Sequence, residues 1–374
     1  MSAIGHVVRA AEANRDAIRR VATSEVGARL VPPLRARWLP LPPASPERRL
    51  GVGVDGTGHA VSLATGAHLV VSMASALGPE PVGRIDLAEV EALPARYDDA
   101  AASSARDLLM RSLETAAAHE ALRRAAGVVA GARTTIWIDG SLHGDLAHMA
   151  GGPAVARWGG AADRAGALLV ATRALHLDAV ACGARLLGLA KTQRAAVLVN
   201  ALEAEAPPGL GGPGERPRDG EVLAAMPDGW SWPVVLDAGQ FPSPDPAAMA
   251  ILESCPAIVT TYVRPHPADL PLRLDVPAAA LGLPDRLGRP SRPGTVIAPR
   301  WLADPDLMRP FVAEVTAAYG GIIVHNGPLY AIDRLVRLTR RDLETVVLPA
   351  IARAAGVPAS ALGVDRGRRR FILD

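Results

Sequence analysis

Cysteine and lysine are almost missing from this chain, with two cysteines, Cys182 and Cys255, and one lysine, Lys191, in 374 residues. The cysteines stand far apart and form no CxxC pair, which excludes a disulfide framework and a cysteine zinc site. A reducing, cytoplasmic setting is therefore expected. No apolar run approaches the ~20 residues that a membrane-spanning helix needs. Met1 to Arg20 is polar with helical spacing, so a soluble chain that is not exported and has no membrane partner is expected. No GxxxxGK[ST] phosphate loop occurs, so any energy drawn from ATP has to come from a partner. No repeat period is visible. A large charge excess is missing as well: the net charge of +2 excludes a uniformly basic coat, and any nucleic acid must be met by a local groove.

Basic residues do cluster, at Arg123 and Arg124, at Arg286, Arg289 and Arg292, at Arg334, Arg337, Arg340 and Arg341, and at Arg366, Arg368, Arg369 and Arg370. Lys191 stands out because every other basic side chain of this kind is arginine. Hydrophobic residues make up 49% and charged residues 21%, enough for a sizeable core.

Apolar positions from residue 3 to 27 predict an N-terminal helix, and the prolines from Pro32 to Pro46 a linker, so 1–45 is set apart. Leu50 to Leu77, punctuated by Gly56, Gly58 and Gly66, predicts three short strands in an antiparallel meander. The proline-free stretch Ser103–Ala130 predicts a long helix, and Thr134–Asp139 a buried strand ending in an acid. A second helix over Ala161–Cys182 leads to a strand, Leu186–Ala190, and directly to Lys191. The Pro- and Gly-rich stretch near 204–230 predicts a loop insertion. Strands follow at Ala257–Arg264 and Leu270–Val276, then an irregular stretch over Pro277–Pro293. A helix near Pro305–Tyr319 precedes a strand-rich piece to Leu338 and a last helix from Arg340, capped by Thr339 with Asp342. This order predicts an α/β fold: a ribonuclease-H-like mixed sheet with flanking helices and insertions, in one main domain over 46–354 with a tail over 355–374.

Two segments share one design, Val52-Gly-Val-Asp55-Gly-Thr57 and Ile136-Trp-Ile-Asp139-Gly-Ser141. In each, an apolar strand carries a carboxylate to its end and a glycine turns the chain. A single Asp-Gly pair is more often a hairpin turn. Two on adjacent strand ends would hold their carboxylates together at a cost that a cation relieves. Mg²⁺ or Mn²⁺ suits such oxygen ligands and can activate water against a phosphodiester. A third acid is expected from the intervening helix. Glu120 has Arg123 and Arg124 at ion-pair spacing, whereas Glu114 has no such partner ahead of it, only Ala116, Ala117 and Ala118, small residues that permit close approach to a sheet, so Glu114 is favoured.

These residues and their order resemble the NurA family of nucleases. The family has an early Asp-Gly-Ser-like strand, a helical glutamate, and a strand ending in Asp-Gly-Ser-Leu; here these are Asp55-Gly56-Thr57, Glu114, and Asp139-Gly140-Ser141-Leu142. A strand running into lysine is matched by Leu187-Gly-Leu-Ala-Lys191, and later strands by Tyr262-Val263-Arg264 and Leu272-Arg273-Leu274. Where the family shows tyrosine, leucine and histidine at spacings of four, this chain has His325, Leu329 and Asp333, an exchange at both polar positions. Aspartate at 333 can still ligate a hard cation. The likeness spans about residues 50 to 350.

The resemblance implies Mn²⁺-dependent DNA cleavage, with exonuclease and single-strand endonuclease character, used in DNA end processing. It implies a homodimer enclosing a DNA channel and a hexameric ATPase of the HerA type as partner. Asp55, Glu114, Asp139 and Asp333 would hold metal, Lys191 would join them in catalysis, and Lys191, Arg264 and His325 would contact DNA. The other reading open to the same residues is an actin-like or sugar-kinase-like nucleotide-binding protein, in which the two Asp-Gly segments turn to cradle phosphates. A catalytically inert scaffold is a third.

Overall fold

The computed structural model describes residues 3–16, 25–47, 49–127, 133–144, 161–191, 195–205, 217–237, 250, 254–284 and 299–363. The chain opens with α1 (Ala3–Ala13), which leaves Ile4, Val7 and Val8 exposed, and α2 (Glu25–Arg35). Helix α2 runs through Pro32 and Pro33, inside the stretch expected to be a linker. An interior helical proline costs about 3 kcal/mol. Against that cost, Leu30 and Leu34 are buried with Leu198, Leu202, Leu223 and Tyr262, and a fully buried leucine contributes roughly 1.5–3 kcal/mol. Residues 25–35 therefore pack with the body of the protein.

After the short β1 (Trp38–Leu39) come three long strands, β2 (Leu50–Ser62), β3 (His68–Leu77) and β4 (Arg84–Leu93), paired antiparallel in order. The expected three short strands over Leu50–Leu77 are thus two long ones, and Gly56 and Gly58 lie within β2 instead of turning it. Helix α3 (Asp99–Ala126) begins where the Asp98 carboxylate accepts from the Ala101 amide at 2.8 Å. Strand β5 (Thr134–Asp139), helix α4 (Ala161–Ala181) and strand β6 (Arg185–Ala190) follow, with β2, β5 and β6 mutually parallel.

The chain continues through α5 (Val197–Glu205) and α6 (Asp219–Leu223) to β7 (Gly229–Ser231), β8 (Val234–Leu236), β9 (Ile258–Arg264) and β10 (Leu272–Pro277). Strand β11 (Arg300–Trp301), helix α7 (Arg309–Ala318) and helix α8 (Gly327–Val336) precede short helical turns between Arg340 and Ala354. Thr339 and Asp342 form the expected reciprocal cap of those turns.

Among the described residues the sheet has 11 strands in the order β1-β7-β9-β10-β6-β5-β2-β3-β4, with β8 and β11 branching from β9. Within it, a three-strand meander followed by two strands parallel to its first member is the ribonuclease-H-like arrangement that the element order predicted. Alanines 117, 118, 121 and 125 of α3 and leucines of α4 cover one face, where Val52, Val54, Ile136 and Ile138 point. Helices α7 and α8 cover the other, over Trp137, Leu187 and Leu189.

The piece expected to be strand-rich up to Leu338 is helix α8. Asn326 caps it, its Oδ1 accepting from the Leu329 amide at 3.0 Å, and Leu329, Ile332 and Val336 bury one face at helical spacing. The described part of the insertion expected over 204–230 contains α6, whose Asp219 carboxylate accepts from the Val197 and Val199 amides and the Tyr262 hydroxyl. Residues 206–216 lie outside the described residues, as do the arginines of the 286–292 and 366–370 clusters and most of the tail. Among the described residues, no helix is long and apolar enough to cross a membrane.

Candidate active site

The parallel register of β2 and β5 sets Val54 against Ile138, so Asp55 and Asp139 follow one step further on neighbouring strands, which run roughly 4.8 Å apart. Strand β5 stops at Asp139, while β2 continues against β3 to Ser62. Asp55 therefore lies within its strand, beside the end of its neighbour. Its segment forms no turn, which removes the phosphate-cradling hairpin required by the nucleotide-binding reading.

Strand alternation fixes which face each side chain takes. Side chains added at Gly51 or Gly53 would meet Pro328 of α8, and ones at Gly56 or Gly58 would meet Glu114 or Arg106 of α3. Asp55 shares the α8 face with Gly53. Asp139 shares that face with Trp137, and Asp333 is carried there by α8. Lys191, just past β6, donates from Nζ to Asp139 Oδ2 at 2.8 Å. Three carboxylates and the single lysine thus act on one another.

Asp55 is only 9% exposed. Burial, together with the charges of Asp139 and Asp333, pushes its carboxyl up to about 6, although the Gly56 amide and Lys191 work against the rise. Burial acts to lower the Lys191 ammonium, but Asp139, Asp333 and Asp55 outweigh it and raise it overall. The site carries more negative charge than one lysine balances. Among the described residues, no three His, Cys, Asp or Glu side chains are arranged to grip an ion as they stand. The donor set is all carboxylate oxygen, and its unbalanced charge fits a hard divalent cation.

Glu114, 3% exposed, approaches β2 from the α3 face, where a Cβ on Gly56 would lie 2.5 Å from its Oε1. Its carboxylate accepts from Arg111 Nη1 at 2.7 Å, and the same nitrogen points at the Asp139 carbonyl at 3.5 Å. Arg111 is the residue that sequence reasoning missed. It stands three positions before Glu114, whereas partners were sought only after it. Glu120 pairs with Arg123 and Arg124 as expected.

Arg264 and His325 do not join the carboxylates. Arg264 is buried, and its guanidinium donates to the carbonyls of Ala224, Met226, Pro267 and Asp269. These bonds take four of its five N–H donors and tie the β9–β10 loop to the loop after α6. His325 Nδ1 lies 3.7 Å from Asp269 Oδ2, which also accepts from the Tyr319 hydroxyl at 3.0 Å. Both expected DNA contacts therefore converge on Asp269.

No family model and no curated protein matches the sequence. Solved structures do. The NurA nuclease of Sulfolobus solfataricus superposes with a TM-score of 0.58 at 15% identity, covering 95% of this chain and 98% of that one. The chain has the NurA fold. A structure of NurA bound to dAMP and manganese gives 0.53 at 11% identity over 94% and 97%, and one of NurA with manganese gives 0.51 at 13% over 93% and 97%. The NurA fold spans nearly the whole length of the chain.

Proposed function

We propose that this protein is a metal-dependent DNA nuclease of the NurA family that hydrolyses phosphodiester bonds at Asp55, Asp139 and Asp333. The observation that carries this reading is that Asp55 and Asp139 directly follow the last parallel register pair of β2 and β5, with Asp333 acting on them, so that the Asp55 carboxyl is held up by burial and by like charges. Those three acids would hold Mn²⁺, or Mg²⁺, with Glu114 contributing from the opposite face of β2. A bound divalent ion supplies Lewis acidity and water activated near neutral pH. The manganese and dAMP of the similar NurA structures support both the metal and the substrate class.

The chain's own residues then have separate tasks. Asp55, ionised above about pH 6, and Asp139 orient the attacking water and the phosphate. Lys191, exposed beside Asp139, offsets negative charge as it builds on the phosphate oxygens. Arg111 holds Glu114 in place. Exonuclease and single-strand endonuclease action, a homodimer, and delivery of DNA by a HerA-type hexameric ATPase complete the reading. With a net charge of +2, unaided capture of DNA is weak, since non-specific affinity follows the number of phosphates neutralised. A motor that feeds the strand compensates for this. Incubation of the purified chain with linear DNA is the test: degradation is expected with Mn²⁺ and none with EDTA. Equal degradation in both would remove the reading.

A further inference from the structure

Asp139 is followed by a turn that is pinned far more firmly than its exposure requires. Gly140 takes φ +134°, where only glycine is unstrained, and its amide continues the ladder to the Leu189 carbonyl at 3.1 Å. A Cβ on Gly188 would stand 2.9 Å from the Gly140 carbonyl oxygen and 3.0 Å from the Leu142 amide, so β6 is bare where the turn lies on it.

The turn is anchored to Asp275 of β10, a fully buried carboxylate. Asp275 Oδ2 accepts from the Ser141 hydroxyl at 2.6 Å and the His143 amide at 3.2 Å. Its Oδ1 accepts from Arg273 Nε and the Thr260 hydroxyl, each at 2.8 Å. Ser141 Oγ in turn accepts from the Gly144 amide at 2.8 Å. On β10 the neighbours Leu272, Leu274 and Val276 face the α7 and α8 side, so Arg273 and Asp275 act from the opposite face to that of the Asp139 side chain. A buried ion pair is costly to desolvate and is weak evidence of a stability role. This one spends half of its acceptors on the four residues after Asp139.

We propose that Asp275, held by Arg273 and acting through Ser141, is the positioning residue for Asp139, fixing the aim of that carboxylate from the far side of the sheet. The inference rests on the metal-nuclease reading and concerns the residues behind the ligands. Its test is the affinity of the full chain for Mn²⁺ alone, read by electron paramagnetic resonance of the free ion. Ser141→Ala is expected to weaken binding about 10–100-fold, the usual loss when an outer partner of a ligand is removed. Its metal-free melting temperature is expected to fall by only a few degrees, the effect of one lost hydrogen bond to a buried carboxylate, while Ser141→Thr, which restores the hydroxyl, should recover most of the affinity. Asp275→Asn should weaken Mn²⁺ binding likewise, and if it fails to fold, the two Ser141 variants decide. Unchanged Mn²⁺ affinity in a folded Ser141→Ala variant overturns the proposal. Absence of Mn²⁺ binding by the unmodified chain would instead defeat the metal reading and this inference with it.

Discussion

Asp55 carries a cost that function alone explains. Its carboxyl is pushed up to about 6 by burial and by Asp139 and Asp333, so the folded chain holds this proton more tightly than the unfolded one. The ionised form therefore costs stability: nothing below the ordinary carboxylate range, increasingly as pH rises through 4 to 6, and the full amount above that. Asp55→Asn is expected to raise the stability of the metal-free chain at pH 7.5 by about 1–3 kcal/mol, with little change at pH 4. Thermal melts at the two pH values check this, and a destabilised Asn variant at pH 7.5 would show that the carboxylate is balanced after all. The two helical glutamates part in the same way. Glu120→Gln weakens its surface pairs with Arg123 and Arg124 and should leave the melting temperature nearly unchanged and keep cleavage, whereas Glu114→Gln strands the Arg111 contact and should lose cleavage. Parallel assays and melts separate lost chemistry from lost folding.

Helix α8 is the element on which the site turns, because it carries Asp333, and the glycines of β2 let it lie close. A Cβ on Gly53 would collide with the Pro328 carbonyl, which is backbone and cannot swing aside. Gly53→Ala is therefore expected to cost about 1–3 kcal/mol and to lower cleavage by displacing Asp333, while Asn326→Ala, removing the cap, should cost about 1 kcal/mol. A Gly53→Ala chain that melts and cleaves like the parent would place α8 further from β2. This element was also the least legible in the sequence. The Asp55 and Asp139 strands declare themselves by apolar runs ending in acids, and the α3 and α4 helices by their freedom from proline. Leu329, Ile332 and Val336 carry a helical period too, but ten residues show few repeats of it, and the basic and apolar run Arg334–Thr339 at its end reads as strand. Gly56 and Gly58 misled for a related reason: glycine marks a turn in sequence, yet here it marks where Glu114 and Arg106 approach a continuous strand. Arg273 and Asp275 alternate with Leu272, Leu274 and Val276 in a period-two pattern, whose partner, Ser141, only the fold brings near.

At the scale of the whole molecule, the two N-terminal helices differ in how they are covered. Ile4, Val7 and Val8 of α1 are exposed, whereas Leu30 and Leu34 of α2 are core residues. On the proposed reading, with a HerA-type ATPase docking on the N-terminal helix, deleting residues 1–20 should leave the melting temperature nearly unchanged and abolish co-elution with that ATPase; a truncated chain that still co-elutes would assign the docking surface elsewhere. The paired acids remain the centre of the proposed chemistry, and they allow the most direct measurement. Mn²⁺-supported degradation of linear DNA is to be compared among the unmodified chain, Asp55→Asn and Asp139→Asn, each shown to be folded by its melt. Loss of a ligand should exceed the loss of an outer partner, so both variants are expected to fall by more than about 100-fold. Either folded variant cleaving at the parental rate would contradict a metal site built on Asp55 and Asp139.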